Sequence, residues 1–185
     1  MRLFVSIDLP DEFADRIASL QEEFADAGGL RFTDPEQTHV TLKFLGETDE
    51  DRIAELETAL ETAVADTGIE PFEAEYGGLG VFPSSEYISV VWLGVRAGSE
   101  AMARLHESIE REMVAVGFDP EDHDFTPHVT IARMNHAGGK ALVQRLVRER
   151  DPTIGRTNVE EISLTESEPA SDGPAHSTVS TVSLD

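Results

Sequence analysis

The chain has 185 residues, no cysteine, and 37 acidic against 14 basic residues, for a formal net charge of −23. This length suffices for one sizeable core, or for two small lobes that share one. The absence of cysteine excludes disulfides, zinc–thiolate sites and thiol nucleophiles. No apolar run reaches the roughly 18–20 residues that span a bilayer, and the N-terminus is unlike a secretory signal, so we expect a cytoplasmic protein without membrane contact.

The acidic residues are spread through the predicted helices, and only two basic residues are lysines, Lys43 and Lys140. In molar salt the Debye length falls to about 3 Å, which screens the repulsion within such a surface. The charge pattern therefore predicts a halophilic protein, with an ordinary acidic protein as the alternative. A strongly negative body also lacks the broad basic face of nonspecific nucleic-acid binders, so any nucleic-acid contact should be local, at a terminus or a single phosphate inside a pocket.

The first half of the chain alternates strands and helices, as the spacing of its apolar residues indicates. The predicted elements are a strand at 2–8, a helix from Asp11 to Gly28, an extended piece at 30–32, a strand at 38–45 and a helix from Asp49 to Gly68. Buried stripes recur every three or four residues, for example Phe13, Ile17, Leu20 and Phe24 in the first helix.

The second half repeats the order of strand, helix, strand and helix. Its predicted elements are strands at 71–81 and 86–95, a helix from Ser99 to Gly117, a strand that begins at His128, a helix at about 139–150, and extended segments at 153–166 and 176–184. This order suggests an internal duplication. We predict an α+β fold with two lobes, each with its own sheet, in a single domain over residues 1–185.

The tripeptide His-Val-Thr occurs twice, at 39–41 and at 128–130, in two predicted strands that lie 89 residues apart. Side chains alternate faces along a strand, so His and Thr point the same way and Val points to the opposite side. Two such strands side by side would place two imidazoles and two hydroxyls around one pocket. Taken alone, the pattern leaves a catalytic pair and two ordinary structural strands as equal alternatives.

The flanks of the tripeptides are more specific. The first copy reads Thr-His-Val-Thr-Leu-Lys-Phe-Leu-Gly over residues 38–46, and the second reads Pro-His-Val-Thr-Ile-Ala-Arg over residues 127–133. They resemble the paired His-x-Thr motifs of the 2H phosphoesterase superfamily, and most closely its RNA 2′,3′-cyclic phosphodiesterases, also called 2′-5′ RNA ligases. The opening segment 2–10, the glycine-rich segment 77–83 and the closing segment 162–167 are also similar to that family.

The resemblance implies a bilobed 2H phosphoesterase fold with pseudo-symmetric lobes and an active site in the cleft between them. It implies metal-independent hydrolysis of RNA 2′,3′-cyclic phosphate ends to 2′-phosphates, with reversible 2′-5′ ligation and without a cofactor. By resemblance His39 is the proton donor and His128 the proton acceptor. The remaining substrate-binding candidates are Thr41, Thr130, Arg133, Lys43 and Phe4. The RNA end is the expected partner, and the protein is expected to be a monomer.

Several of these roles depend on geometry. Lys43 shares the face of His39 in strict alternation, whereas Arg133 is out of phase with His128 and needs a bulge or the end of the strand to reach the pocket. Phe4 and Phe44 are candidates for base or ribose contact, with core packing as the alternative. The other histidines, predicted in a helix or in loops, are interpreted as exposed polar residues: His106, His123, His136 and His176.

Three other functions stay open from sequence. The first is a phosphodiesterase for a small cyclic nucleotide or an ADP-ribose cyclic phosphate. The second is a non-catalytic module that binds RNA ends, and the third is a metal protein that uses the two repeat histidines as ligands. The only clustered metal-ligand types elsewhere, at 122–124, are interpreted as a solvated loop. Gly77, Gly78 and Gly80 do not form a phosphate-loop or dinucleotide signature.

Overall fold

The computed structural model describes residues 1–171 and 173–185, and the protein is a mixture of strands and helices. Within these residues the strands are β1 (Arg2–Asp8), β2 (Leu30–Phe32), β3 (His39–Glu47), β4 (Phe72–Pro83), β5 (Ile88–Val95), β6 (His128–Met134), β7 (Thr153–Val159), β8 (Glu161–Glu168) and β9 (Ala175–Ser183). The α-helices are α1 (Ala14–Glu22), α2 (Ile53–Thr67), α3 (Ser99–Ala115) and α4 (Lys140–Glu149). Short 3₁₀ turns precede α1, β3, α2 and α4.

All strand pairs are antiparallel, and the strand order is β7-β4-β5-β6-β3-β1-β8-β9, with β2 added to β6. We call β9, β8, β1 and β3 the first lobe, and β6, β5, β4 and β7 with β2 the second lobe. The lobes join at the centre, where β3 and β6 pair through Val40 and Val129. The predicted α+β class with two antiparallel lobes is confirmed, although the two sheets are continuous through this one residue pair.

The lobes are not the two halves of the sequence, and one predicted element is wrong. The extended segment predicted at 153–166 is two strands, which separate at Glu160. β7 pairs with β4 in the second lobe, whereas β8 pairs with β1 in the first. The C-terminal hairpin of β8 and β9 therefore completes the N-terminal lobe, which a reading of local periodicity cannot reveal.

The helices cover one face of the sheet and build the core there. The predicted stripe of α1 is confirmed, since Ile17 and Leu20 are buried with Phe13 and Phe24 on either side. α2 and α3 pack against each other, and their buried residues include Leu56, Leu60, Leu105 and Ile109. Burial of such a side chain contributes roughly 1.5–3 kcal/mol, so this layer fixes the sheet and leaves its opposite face free for a site. In the part of the chain that is described, no helix is long and apolar enough to cross a membrane.

Candidate active site

The centre of the candidate site is the junction of β3 and β6. Val40 and Val129, which pair there, are fully buried on the helix side. Because side chains alternate along a strand, the residues on either side of each valine point to the opposite face, which we call the cleft. Those residues are His39, Thr41, His128 and Thr130, and all four are half-buried.

The same register sets the four side chains in a two-fold arrangement. In an antiparallel pair, the residue before one valine lies opposite the residue after the other. His39 therefore lies opposite Thr130, and Thr41 lies opposite His128. The sequence prediction that the two repeats meet is therefore confirmed at the level of the backbone. The cleft presents two imidazoles on one diagonal and two hydroxyls on the other.

Each imidazole is oriented by the same kind of hydrogen bond. The Nδ1–H of His39 donates to the carbonyl of Gln37 at 3.0 Å, and that of His128 donates to the carbonyl of Thr126 at 2.7 Å. A carbonyl only accepts, so these bonds fix the proton on Nδ1 of the neutral ring. Nε2 of each histidine is thereby left for proton transfer in the cleft.

The two hydroxyls are also available. Among residues 1–171 and 173–185, neither Thr41 Oγ1 nor Thr130 Oγ1 has a side-chain hydrogen bond. Instead, the second strand is held through its backbone, where Thr33 Oγ1 donates to the carbonyl of Thr130 at 3.0 Å. The threonine hydroxyls can therefore donate to the oxygens of a bound anion without breaking a bond within the protein.

The two histidines differ in the rings that contact them. The ring centroid of His39 lies 4.8 Å from that of Phe4 and 5.1 Å from that of His176. His128 lies 4.9 Å from Phe82 and 5.9 Å from Trp92. The first lobe thus places a titratable ring beside its histidine, while the second lobe uses two rings that do not titrate near neutral pH.

Burial and nearby charges shift the pKa values of the two histidines. Burial lowers the pKa of His39 from its ordinary value of 6.5, and His176 and His128 lower it further, against the Gln37 carbonyl and Asp8, which raise it. Burial also lowers the pKa of His128, and the positive charge of Arg133 adds to this, against the Thr126 carbonyl. Both imidazoles therefore favour the neutral form in the free protein. The carboxylate of Asp8 lies near His39, and the guanidinium of Arg133 lies near His128.

Comparison with known proteins agrees with this geometry. Residues 9–170 match the model of a family described as the 2′-5′ RNA ligase superfamily. The chain belongs to this superfamily. A relative from Methanothermobacter thermautotrophicus named RNA 2′,3′-cyclic phosphodiesterase is 34% identical, over 95% of both chains. One of the same name from Methanocaldococcus jannaschii is 31% identical, over 97% of this chain and 98% of its own.

Solved structures share the fold. The crystal structure of TT0787 of Thermus thermophilus superposes with a TM-score of 0.79 at 29% identity, covering 100% of this chain and 98% of its own. Escherichia coli LigT complexed with 3′-AMP superposes with a TM-score of 0.78 at 25% identity, over 99% and 97% of the two chains. The predicted resemblance to this family is confirmed.

Bulges in β3 and β6 change where two predicted residues lie. The register of β3 against β1 shifts between the pairs Ser6–Thr41 and Val5–Lys43, which turns Lys43 to the helix side. Its ammonium donates to Glu110 at 3.1 Å and to the carbonyl of Asp119 at 2.9 Å, and the side chain is only 2% exposed. The prediction that Lys43 shares the face of His39 is wrong, because the bulge breaks the alternation.

The bulge in β6 has the opposite consequence for Arg133. The register of β6 against β5 shifts between the pairs Trp92–Thr130 and Val91–Ala132, so Arg133 joins the face of Thr130. A bulge is one of the two ways in which the sequence allows Arg133 to reach that face. The carbonyl of Ile131 at the bulge accepts from the backbone N–H of Thr33 at 3.1 Å and from Gln21 Nε2 at 3.0 Å, which holds the strand in this shape.

The two phenylalanines named from the sequence behave differently. Phe4 is 3% exposed and contacts His39, so it supports this imidazole from the cleft side of β1. Phe44 pairs with Phe4 across the strands and is 64% exposed. Phe44 follows His39 by five residues in β3, as Arg133 follows His128 by five residues in β6. The exposure of Phe44 excludes core packing for this side chain.

His176 is the site residue that sequence reasoning missed. Its interpretation as an exposed loop residue is wrong, because His176 lies in β9, which matches the extended segment predicted from 176, and its backbone N–H donates to Gln37 Oε1 at 2.7 Å. The same Gln37 accepts from His39 Nδ1 through its carbonyl, so one residue holds both the ring of His39 and the backbone of His176. The alternation of small polar and apolar residues after Pro174 is the signal for this strand, but only the hairpin with β8 brings it to the cleft.

The other histidines lie away from the cleft. His106 is in α3, where Nδ1 contacts the carbonyl of Leu42 at 2.7 Å and the ring stacks on Phe125. His123 is exposed and lies within 4 Å of Glu121 and Asp122. Over the described residues, no three His, Cys, Asp or Glu side chains are grouped as metal ligands. Gly80 packs under Trp92, where an added Cβ would lie 2.1 Å from the ring.

Proposed function

We propose that the protein hydrolyses 2′,3′-cyclic phosphate ends of RNA to 2′-phosphates, with His39 as proton donor and His128 as proton acceptor. The observation that carries the proposal is the two-fold arrangement at the β3–β6 junction, with Nε2 of both imidazoles free for proton transfer. The names of the relatives support the same substrate class.

The chemistry needs only these groups. His128 Nε2 takes a proton from water as its oxygen attacks phosphorus, and the bond from phosphorus to O3′ breaks in line with the attack. His39 donates the proton that O3′ requires, which leaves the 2′-phosphate. When the 5′-hydroxyl of a second RNA replaces water, the same step forms a 2′-5′ phosphodiester.

Two charged residues, one in each lobe, agree with this order of roles. Asp8 pairs with His39 across β1 and β3 and raises the pKa of that imidazole. Arg133 lowers the pKa of His128. Asp8 and Arg133 act in the direction that a donor His39 and an acceptor His128 require, whereas burial and the neighbouring His176 lower the pKa of His39.

The proposal is tested with an oligoribonucleotide that ends in a 2′,3′-cyclic phosphate, incubated with EDTA. We expect complete conversion to the 2′-phosphate isomer, identified by its resistance to a 3′-specific phosphatase and by chromatography against both standards. Conversion that stops in EDTA would favour the metal alternative. Binding of the end without turnover would favour the non-catalytic module.

The pH dependence of kcat/KM follows from the depressed pKa values. Activity needs protonated His39 and neutral His128, so kcat/KM should be bell-shaped, and both limbs reflect the free enzyme. The alkaline limb reflects deprotonation of His39. Because the pKa values of His39 and His128 both lie below 6.5, we expect this limb below pH 6.5 and an acidic pH optimum. His176→Phe keeps a ring beside His39 but removes its charge, so this limb should move to higher pH. An optimum above 6.5 would contradict the prediction.

We also propose that the protein is cytoplasmic and halophilic. With 37 acidic and 14 basic residues, the repulsion within the surface is large at low ionic strength and is screened in molar salt. We expect the melting temperature, followed by circular dichroism, to rise steadily with KCl. Sucrose, which stabilises folds without screening charge, is the control. A melting temperature independent of KCl would exclude this adaptation.

A further inference from the structure

The buried lysine of β3 ties the first histidine strand to α3. Lys43 follows His39 by four residues, turns to the helix side at the β3 bulge and is 2% exposed. Its ammonium donates to Glu110 Oε2 at 3.1 Å and to the carbonyl of Asp119 at 2.9 Å. Burial of a charge is costly unless the charge is paired and hydrogen-bonded. An apolar side chain would fill this position without that cost, so the lysine is of interest for what its ammonium holds.

The ammonium holds the segment that leads to the second histidine. Residues 119–127, which we call the approach segment, lie between α3 and β6 and form neither a helix nor a strand. Lys43 holds the carbonyl of Asp119, and Glu110 Oε1 accepts from the backbone N–H of Glu121 at 2.9 Å. In the described part of the chain, the approach segment has no other hydrogen bond to the rest of the protein before its last two residues. The ion pair therefore fixes the first half of this segment.

A second contact holds the end of the approach segment. The ring of Phe125 stacks on His106 of α3, with centroids 4.2 Å apart and an interplanar angle of 6°. His106 Nδ1–H donates to the carbonyl of Leu42, also at the β3 bulge, at 2.7 Å. The residue after Phe125 is Thr126, whose carbonyl accepts from His128 Nδ1 at 2.7 Å. Both contacts thus run from the β3 bulge through α3 to the segment that orients His128.

We propose that Lys43 and His106 are positioning residues for His128. The inference rests on the proposed function, in which His128 Nε2 takes the proton of the attacking water. That step needs a lone pair on Nε2, which the neutral ring has only when its proton is on Nδ1. The carbonyl of Thr126 keeps the proton there, and the approach segment keeps the carbonyl in place. The strand that carries the proton donor thereby aligns the proton acceptor on the neighbouring strand.

The first test severs the two contacts one at a time. Lys43→Met with Glu110→Met replaces the ion pair by apolar side chains of similar length, which is often neutral for stability. We expect kcat on the cyclic end to fall roughly 10–100-fold with little change in KM, because a misplacement of about 1 Å costs on the order of 10²-fold. Phe125→Leu, which removes the stack on His106, should lower kcat in the same way.

The pH profile separates positioning from a loss of stability. The carbonyl of Thr126 raises the pKa of His128, so a weaker bond lowers that pKa further. The acid limb, where His128 gains its proton, should move to lower pH in both variants, while the alkaline limb of His39 stays. Arg133, the other charge beside His128, is unchanged. Ser108→Ala is the matched control, because it removes a buried hydrogen bond between α3 and α2 and should lower the melting temperature with both limbs unmoved.

A measurement without substrate separates this inference from the proposed function. Nitrogen NMR of labelled histidine reports the tautomer and the pKa of His128, whose signal is assigned by its loss in His128→Ala. We expect a single tautomer in the wild type and in Ser108→Ala, and mixed tautomers with a lower pKa in Lys43→Met with Glu110→Met. An unchanged tautomer and pKa, or an unchanged kcat, would overturn the positioning role even if hydrolysis proceeds.

The remaining outcomes are also decisive. If the wild type does not hydrolyse the cyclic end, but the tautomer of His128 changes in the double methionine variant, the proposed function is overturned and the positioning role is retained. A lower melting temperature and a lower kcat, with both limbs unmoved, would assign Lys43 to the stability of the fold and overturn the positioning role.

Discussion

His39→Ala and His128→Ala should each lower kcat for hydrolysis of a 2′,3′-cyclic phosphate end by about 10²–10⁴-fold, the usual contribution of general acid or base catalysis. The losses should not multiply in the double variant, because the two imidazoles serve one displacement. Initial rates on one oligonucleotide, with melting temperatures as a check on folding, measure the effect. His123→Ala is the matched control, since that imidazole is exposed and lies outside the cleft.

A change of leaving group separates the two roles. A nitrophenyl phosphodiester releases an anion that needs no proton, so His39→Ala should recover most of its loss on this substrate. His128→Ala should not recover, because attack by water still needs a base. Full rate in either variant on the cyclic end would overturn the two-histidine mechanism. Recovery in His128→Ala alone would exchange the roles of donor and acceptor.

The sequence predicts the centre of this site well because its geometry is local. Alternation along a strand is enough to place His39 with Thr41, and His128 with Thr130, on one face. The alternation fails at the two bulges, where hydrogen bonds and packing from other elements set the register. Lys43 turns to Glu110 of α3, and Arg133 turns to the cleft where Gln21 of α1 and Thr33 hold Ile131. No local pattern carries that information.

Longer-range pairing hides the rest of the site from the sequence. His176 lies 137 positions after His39, and it reaches that ring only because the last hairpin of the chain adds to β1. Arg31 meets Arg133 because a strand of three residues docks on β6. The spacing of apolar residues predicts that these segments are extended. The strands with which they pair depend on the topology of the whole sheet.

Thr41→Val and Thr130→Val should each lower kcat by about 10²-fold, and KM should change much less. The hydroxyls face the cleft and have no side-chain partner among the described residues, so they can donate to nonbridging oxygens of the phosphate. Such donors contribute most as negative charge builds in the transition state, and loss of one usually costs about 10²–10³-fold. Steady-state kinetics on the cyclic end separates the two parameters.

Serine and valine variants distinguish a hydroxyl donor from a packing role. Thr41→Ser and Thr130→Ser keep the donor and lose a methyl, so they should retain most of kcat. Valine keeps the shape and the strand preference of threonine, and it should leave the melting temperature nearly unchanged, because no protein hydrogen bond is removed. Thr178→Val, on β9 in the cavity beside His39, is the matched control. A valine variant with unchanged kcat and raised KM would mean that the hydroxyl binds substrate and transition state equally, which would exclude the catalytic role.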